Sequence, residues 1–153
     1  MITFKNLLFL LFAGILLSSS CIKEDTIEGI TREDFYGNYI GEDTNSMGGW
    51  SKTSFRITEA PIGETYITII GLARYPSHHL IANTDQEKIS IKEQSFHVDE
   101  ISSGGFHTVY DAKYFGSGLL DTTKHEIIFH FTEKQVLKDT TFVIQWIATG
   151  IRQ

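Results

Sequence analysis

The chain has 153 residues, a formal charge of −6 and a hydrophobic fraction of 41%, which leaves room for one packed domain and argues against disorder throughout. Its acidity, with no clustered Lys/Arg stripe, excludes nucleic acid as a partner, because phosphate binding needs basic side chains to release counterions. Its one cysteine, Cys21, excludes an intramolecular disulfide and must be a buried apolar residue, a reactive thiol or an attachment point.

Residues 1–20 have a secretory layout. Lys5 supplies a short positive start, Leu7 to Leu17 form an uninterrupted apolar run, and Ser18-Ser19-Ser20 provide small residues directly before Cys21. The run suits a signal peptide and is too short for the roughly 20 residues that cross a bilayer as a helix. A conventional signal peptide with an incidental cysteine, or a buried core helix, would also explain an apolar run. Neither explains why the lone cysteine stands directly behind three small residues. Removal of 1–20 deletes only Lys5 among the charged residues, so the formal charge moves from −6 to −7. Residues 21–33 then read as an acidic tether and 34–153 as the folded domain.

Within the domain, Thr31 can cap a short helical turn through Phe35, with acids in its first turn. Strand signals follow. Tyr36 to Asp43 is the first, and Thr44 to Gly49 is a loop by composition. In Trp50 to Glu59, Phe55 and Ile57 share one face, and Ser54, Arg56 and Thr58 the other. Pro61 and Gly63 interrupt the chain before the β-branched run Thr65 to Ile70. Leu72 to Ser77 is a connection, His79 to Asn83 a short strand, Thr84 to Glu87 a turn, and Lys88 to Lys92 alternates with period two. After the break at Ser102 to Gly105, Phe106 to Leu120 is one bent strand or two short ones, with Gly116 and Gly118 at the kink. His125 to Glu133 puts Ile127, Phe129 and Phe131 on one face, and Lys134 to Asp139 separates it from the last strand. In that strand, Thr140 to Ile151, Phe142, Ile144, Trp146 and Ala148 share a face, with Val143, Ile147 and Ile151 opposite. About eight strands with short connections, and no helix long enough for a parallel crossover, predict an all-β fold: an antiparallel up-and-down barrel, with a β-sandwich as the alternative.

Two resemblances add to this reading. Leu17-Ser18-Ser19-Ser20-Cys21 resembles the lipobox of bacterial lipoproteins, with Ser18 where Leu is usual and the leucine one place earlier, a loose form common in Bacteroidota. The resemblance implies diacylglycerol on Cys21, and two or more acyl chains hold a protein to a bilayer stably where one does not. Lys23-Glu24-Asp25 is similar to the lysine-plus-acid signal that sends such lipoproteins to the outer face of the outer membrane; as plain chemistry it is a solvated polar tether. The region from Phe35 to Arg152 resembles small lipocalin-like (calycin-like) barrels. Gly37-Asn38-Tyr39 looks like the Gly-x-Trp of that family with Tyr for Trp, and Arg152 matches the basic residue that packs across the aromatic ring.

No reaction chemistry assembles from the sequence. His125 and His130 have opposite parity on one strand and cannot share an ion, and adjacent His78 and His79 point apart if extended. Asp43 to Gly48 begins like a calcium loop, but Met47 replaces an oxygen ligand and Ser54 stands where the closing Glu should be. Gly116-Ser117-Gly118 is not a nucleophile elbow. Trp50, Tyr75, Phe106, Tyr110 and Trp146 either line a ligand cavity, stack on sugars or fill the core. The expectation is a non-catalytic, lipid-anchored barrel without cofactor or metal, taking a small apolar or glycan ligand; the alternative is a structural or protein-interaction module with a filled core.

Overall fold

The computed structural model describes residues 29–72, 78–101, 105 and 107–153. The signal segment, Cys21, Lys23-Glu24-Asp25, Tyr75 and Phe106 lie outside the described residues. A 3-10 turn (Arg32–Phe35) leads into eight strands: β1 (Gly37–Asn45), β2 (Trp50–Glu59), β3 (Tyr66–Ile70), β4 (His79–Asp85), β5 (Lys88–Ile101), β6 (His107–Asp121), β7 (Glu126–Leu137) and β8 (Thr140–Arg152). Each strand pairs antiparallel with the next, and β8 returns to β1, so the sheet is a closed up-and-down barrel and not a sandwich. The 3-10 turn, the β4–β5 and β6–β7 turns and the C-terminus lie at one end, the base. The β1–β2 and β7–β8 turns lie at the other, the rim.

The period-two reading accounts for the interior. Phe55 and Ile57 of β2, Ile89 and Ile91 of β5, Ile127, Phe129 and Phe131 of β7, and Ile144, Trp146 and Ala148 of β8 are all buried. Large and small residues interdigitate within this core. Tyr39 and Phe55 stack with ring centroids 5.1 Å apart, and Phe129 meets Phe55 edge-on at 5.5 Å. These rings fit because glycines face them: a Cβ at Gly150 would come within 2.7 Å of the Phe55 ring, and one at Gly118 within 2.6 Å of the Phe129 ring. The two glycines act by their lack of volume.

Several bounds differ from the sequence reading. β1 continues through Asn45, whose side-chain Oδ1 accepts the N–H groups of Met47 and Gly49 and so closes a shorter turn than Thr44 to Gly49. Residues 107–121 form one strand. β7 does not end at Glu133 but continues to Leu137, because Glu133 and Gln135 are interior polar positions of the strand and not its terminator.

Among the described residues, β5 carries the one register shift in the ladders. Between Ile91 and Gln94 it spends an extra residue against β6, so its inward positions change from odd to even numbers. From there it leaves β4, with which it pairs only at Asn83–Ser90, Thr84–Ile89 and Asp85–Lys88. The Gln94 side chain takes over. Its Nε2 donates to the Ile81 carbonyl at 2.7 Å and its Oε1 accepts the Ile81 N–H at 2.8 Å, so a side-chain amide satisfies both backbone groups of Ile81.

At the base, Arg152 joins the chain ends. Tyr39 and Arg152 are cross-strand partners in the β1–β8 ladder. The Arg152 guanidinium donates to the Asp34 carbonyl at 2.9 Å and reaches His125 Nδ1 at 3.1 Å, while the Tyr39 hydroxyl donates to the Phe35 carbonyl at 2.8 Å. Two side chains from two strands thus satisfy the carbonyls of one 3-10 turn. Gly37 makes room, since a Cβ there would lie 2.8 Å from Arg152 Cδ. Because both residues act through the same turn, Arg152→Ala and Tyr39→Phe should each cost roughly 1–3 kcal/mol in urea unfolding. Combined, they should cost less than the sum of their separate effects; strict additivity in the double-mutant cycle would show that they do not act together.

Candidate functional site

The rim half of the barrel differs chemically from the base half. Glu133 on β7 is fully buried, and both of its oxygens are engaged. Tyr114 Oη donates to Oε1 at 2.9 Å, Gln135 Nε2 donates to Oε1 at 2.8 Å, and Trp146 Nε1 donates to Oε2 at 2.9 Å. Register places these donors. Tyr114 is the cross-strand partner of Glu133 on β6, Trp146 is two residues beyond its partner Ile144 on β8, and Gln135 is the next inward position of β7. Leaving such a group without partners in the interior would cost several kcal/mol, so the donors are a condition for an acid at this position.

Aromatic rings surround the cluster. Phe131 stacks on Trp146 at 6.0 Å, nearly coplanar. His78, buried just before β4, stacks on Phe96 at 4.5 Å and meets Tyr114 edge-on at 5.6 Å. A second acid, Asp43 on β1, is also buried, and its Oδ1 accepts the Ser51 hydroxyl at 2.6 Å. Above these groups the inward rows continue to Leu137 on β7 and Phe142 on β8, which are 38% and 44% exposed. The barrel interior therefore ends toward the rim in solvent-accessible apolar side chains over a buried polar floor.

Of the residues singled out in the sequence, Trp146 and Tyr110 face this region and are buried. Trp50 does not. It is exposed on the outer face, where its Nε1 donates to Glu42 at 3.2 Å. Phe142 shares the inward row with Ile144 and Trp146 but stands clear of the core, because β8 outruns the shorter strands across the barrel. Glu133, Tyr114, Gln135 and His78 were not readable as one site. The available signal was parity, since Glu133 continues the row Ile127, Phe129, Phe131. Asp43 is interior and paired with Ser51 rather than the opening of a calcium loop.

The histidines do not converge. His125 occupies the β6–β7 turn with φ +53° and faces Arg152, while His130 is exposed on β7. His97 pairs with Asp111 at 2.9 Å and His107 pairs with Asp99, both on the outer face. Among the described residues no group of three or more His, Cys, Asp or Glu side chains is placed to hold a metal ion. No described helix is long and apolar enough to cross a membrane.

Two expected outcomes follow from the floor. Trp146→Phe keeps the ring but removes the donor to Glu133, and should destabilise the protein by about 1–3 kcal/mol in urea unfolding. No loss would mean that another group replaces the indole. His78 supplies a pH dependence. Burial pushes its pKa below the ordinary imidazole value, so the unfolded chain binds the proton more readily. The His78 contribution is full above about pH 6.5 and is lost as the pH falls below it toward the lower folded pKa. His78→Phe should flatten stability against pH below about 6.5; an unchanged profile would show that His78 does not titrate across folding.

No known family, curated protein or solved structure matches the chain.

Proposed function

We propose that the protein is a bacterial lipoprotein, cleaved before Cys21 and held to the outer membrane, facing the cell exterior, by lipid on that residue. Its domain is a non-catalytic, lipocalin-like barrel that takes a small apolar or glycan ligand at the rim. The attachment rests on the apolar run, Ser18-Ser19-Ser20 and the lone Cys21. The lipocalin likeness is supported by Gly37-Asn38-Tyr39 lying beside Arg152 at the base.

One observation carries the ligand reading: the inward rows of β7 and β8 end in exposed Leu137 and Phe142 above the Glu133–Trp146–Tyr114 floor. Such a surface offers apolar contact together with a few fixed polar groups, the usual composition of a small-molecule site. The second reading, a surface interaction module with a filled core, is favoured by the tight packing of Tyr39, Phe55 and Phe129 in the base half.

Native mass spectrometry of protein extracted gently from membranes tests both parts. Acyl mass on Cys21, with Cys21→Ser leaving the carbonate-washed membrane fraction, supports the anchor; a mutant that stays with the membrane removes it. A retained small molecule that is lost on Phe142→Asp supports the rim site. A bare protein mass from several growth conditions favours the filled-core module.

A further inference from the structure

The outer wall of the barrel carries a cluster of exposed apolar side chains. Ile40, Ile151, Leu119 and Ile147 all point outward and are each about half exposed. Register makes them neighbours with Ile128. Ile40 is opposite Ile151 across the β1–β8 ladder, Ile128 is opposite Leu119 across β6–β7, and Ile151 and Ile147 flank Thr149, the partner of Ile128. The patch thus spans β1, β8, β7 and β6 around Thr149, with Glu126, the β7 partner of Ile151, and Glu42, the β1 partner of Thr149, on the same outward face. A shallow groove lined by Ser90, Ser117, Leu119, Ile128 and His130 extends it toward β5. A cluster of several half-exposed apolar side chains on one wall is more than the scattered single residues of an ordinary surface.

The position of the patch limits what covers it. Ile151 is the penultimate residue of β8, Leu119 lies two residues from the end of β6, and Ile40 is the fourth residue of β1, so the patch sits in the base half. The chain also enters at the base, where Arg32 donates to the Gly63 carbonyl at 3.0 Å and to Glu59 at 2.7 Å. Seven residues, and so eight residue-to-residue steps, lie between Cys21 and Gly29. At about 3.3–3.6 Å per extended residue, Cys21 stays within roughly 30 Å of the base. The 15 residues of β6, at about 3.3 Å each and tilted by roughly 40°, carry the rim about 35–40 Å from the base. A lipid on Cys21 therefore keeps the base and its flank within reach of the bilayer and leaves the rim the farther end.

We propose that the Ile40–Ile151–Ile128–Leu119 face rests on the membrane that holds Cys21, with these side chains at the headgroup–acyl boundary and the rim directed away. The inference rests on the anchored-lipoprotein reading. Lipid anchoring and surface contact reinforce each other, because the anchor raises the local concentration of the face at the bilayer. The rim remains accessible from the aqueous side.

The test uses full-length lipidated protein in phosphatidylethanolamine–phosphatidylglycerol vesicles containing brominated acyl chains. A fluorophore is placed at Ile151→Cys or Leu119→Cys, with Asp85→Cys, exposed at the base end of β4 across the barrel, and Val143→Cys near the rim as controls. Val143 is itself apolar and exposed, so it separates tether-directed contact from general affinity for lipid. Quenching several-fold stronger at positions 151 and 119 than at 85 and 143 supports the proposal. Equal quenching at all four positions, or none, overturns it. Efficient Ile151→Cys cross-linking between protomers without quenching assigns the face to a second copy and also overturns it. Intact mass separates the failures: absence of acyl mass on Cys21 removes the anchor and the docking together, whereas acyl mass without selective quenching removes the docking alone.

Discussion

The return of β8 to β1 constrains everything else in this molecule. In an open sheet an interior side chain can grow or shrink and its neighbours can shift; in a closed barrel of eight strands each inward position shares one fixed lumen. The rings of Tyr39, Phe55 and Phe129 occupy that lumen only because Gly118 and Gly150 give up their side-chain volume. The same closure brings residue 152 beside residue 39 and allows an arginine at the end of the chain to satisfy a carbonyl at its beginning.

Closure also divides the barrel chemically. The base half is apolar, sealed by Phe35 and the hydrogen bonds of Arg152 and Tyr39 to the turn beneath it. Among the described residues the rim half buries two acids, Asp43 and Glu133, and each oxygen of Glu133 has a donor from the barrel wall. A core built only for stability gains little from an internal acid, since apolar residues of similar volume often serve as well or better. The pairing of a polar floor with exposed Phe142 and Leu137 is what separates this half from a plain core.

The strand interiors were legible in the sequence because burial on one face imposes alternation. Phe55–Ile57, Ile89–Ile91 and Ile127–Phe129–Phe131 announce both the strand and its inward face. The short helical turn was legible through Thr31, whose N–H is accepted by Asp34 at 2.7 Å. Glu133 was not, because a glutamate followed by lysine and glutamine resembles the end of a strand. Only the register shows that Tyr114 and Trp146 arrive beside it. Trp50 shows the same gap from the other side: an aromatic residue at a strand start carries no mark of which wall it faces. The bulge in β5 reversed parity midway, so alternation read from Lys88 onward gives the wrong face for Phe96 and Val98.

Gln94 gives the seam between β4 and β5 a character unlike the other seven. Three register pairs near the base and one amide side chain above them hold the two strands, whereas β7 and β8 are zipped over their whole length. A backbone ladder opens one bond at a time, each supported by its neighbours; a side-chain bridge releases both of its bonds with one rotation. Local opening above those three pairs therefore needs only one side chain to move. When Gln94 swings out, the Ile81 amide and carbonyl are bared together, and the closed cylinder briefly acquires two free strand margins. A barrel avoids aggregation by having no margins, so one glutamine rotamer guards this line of the wall.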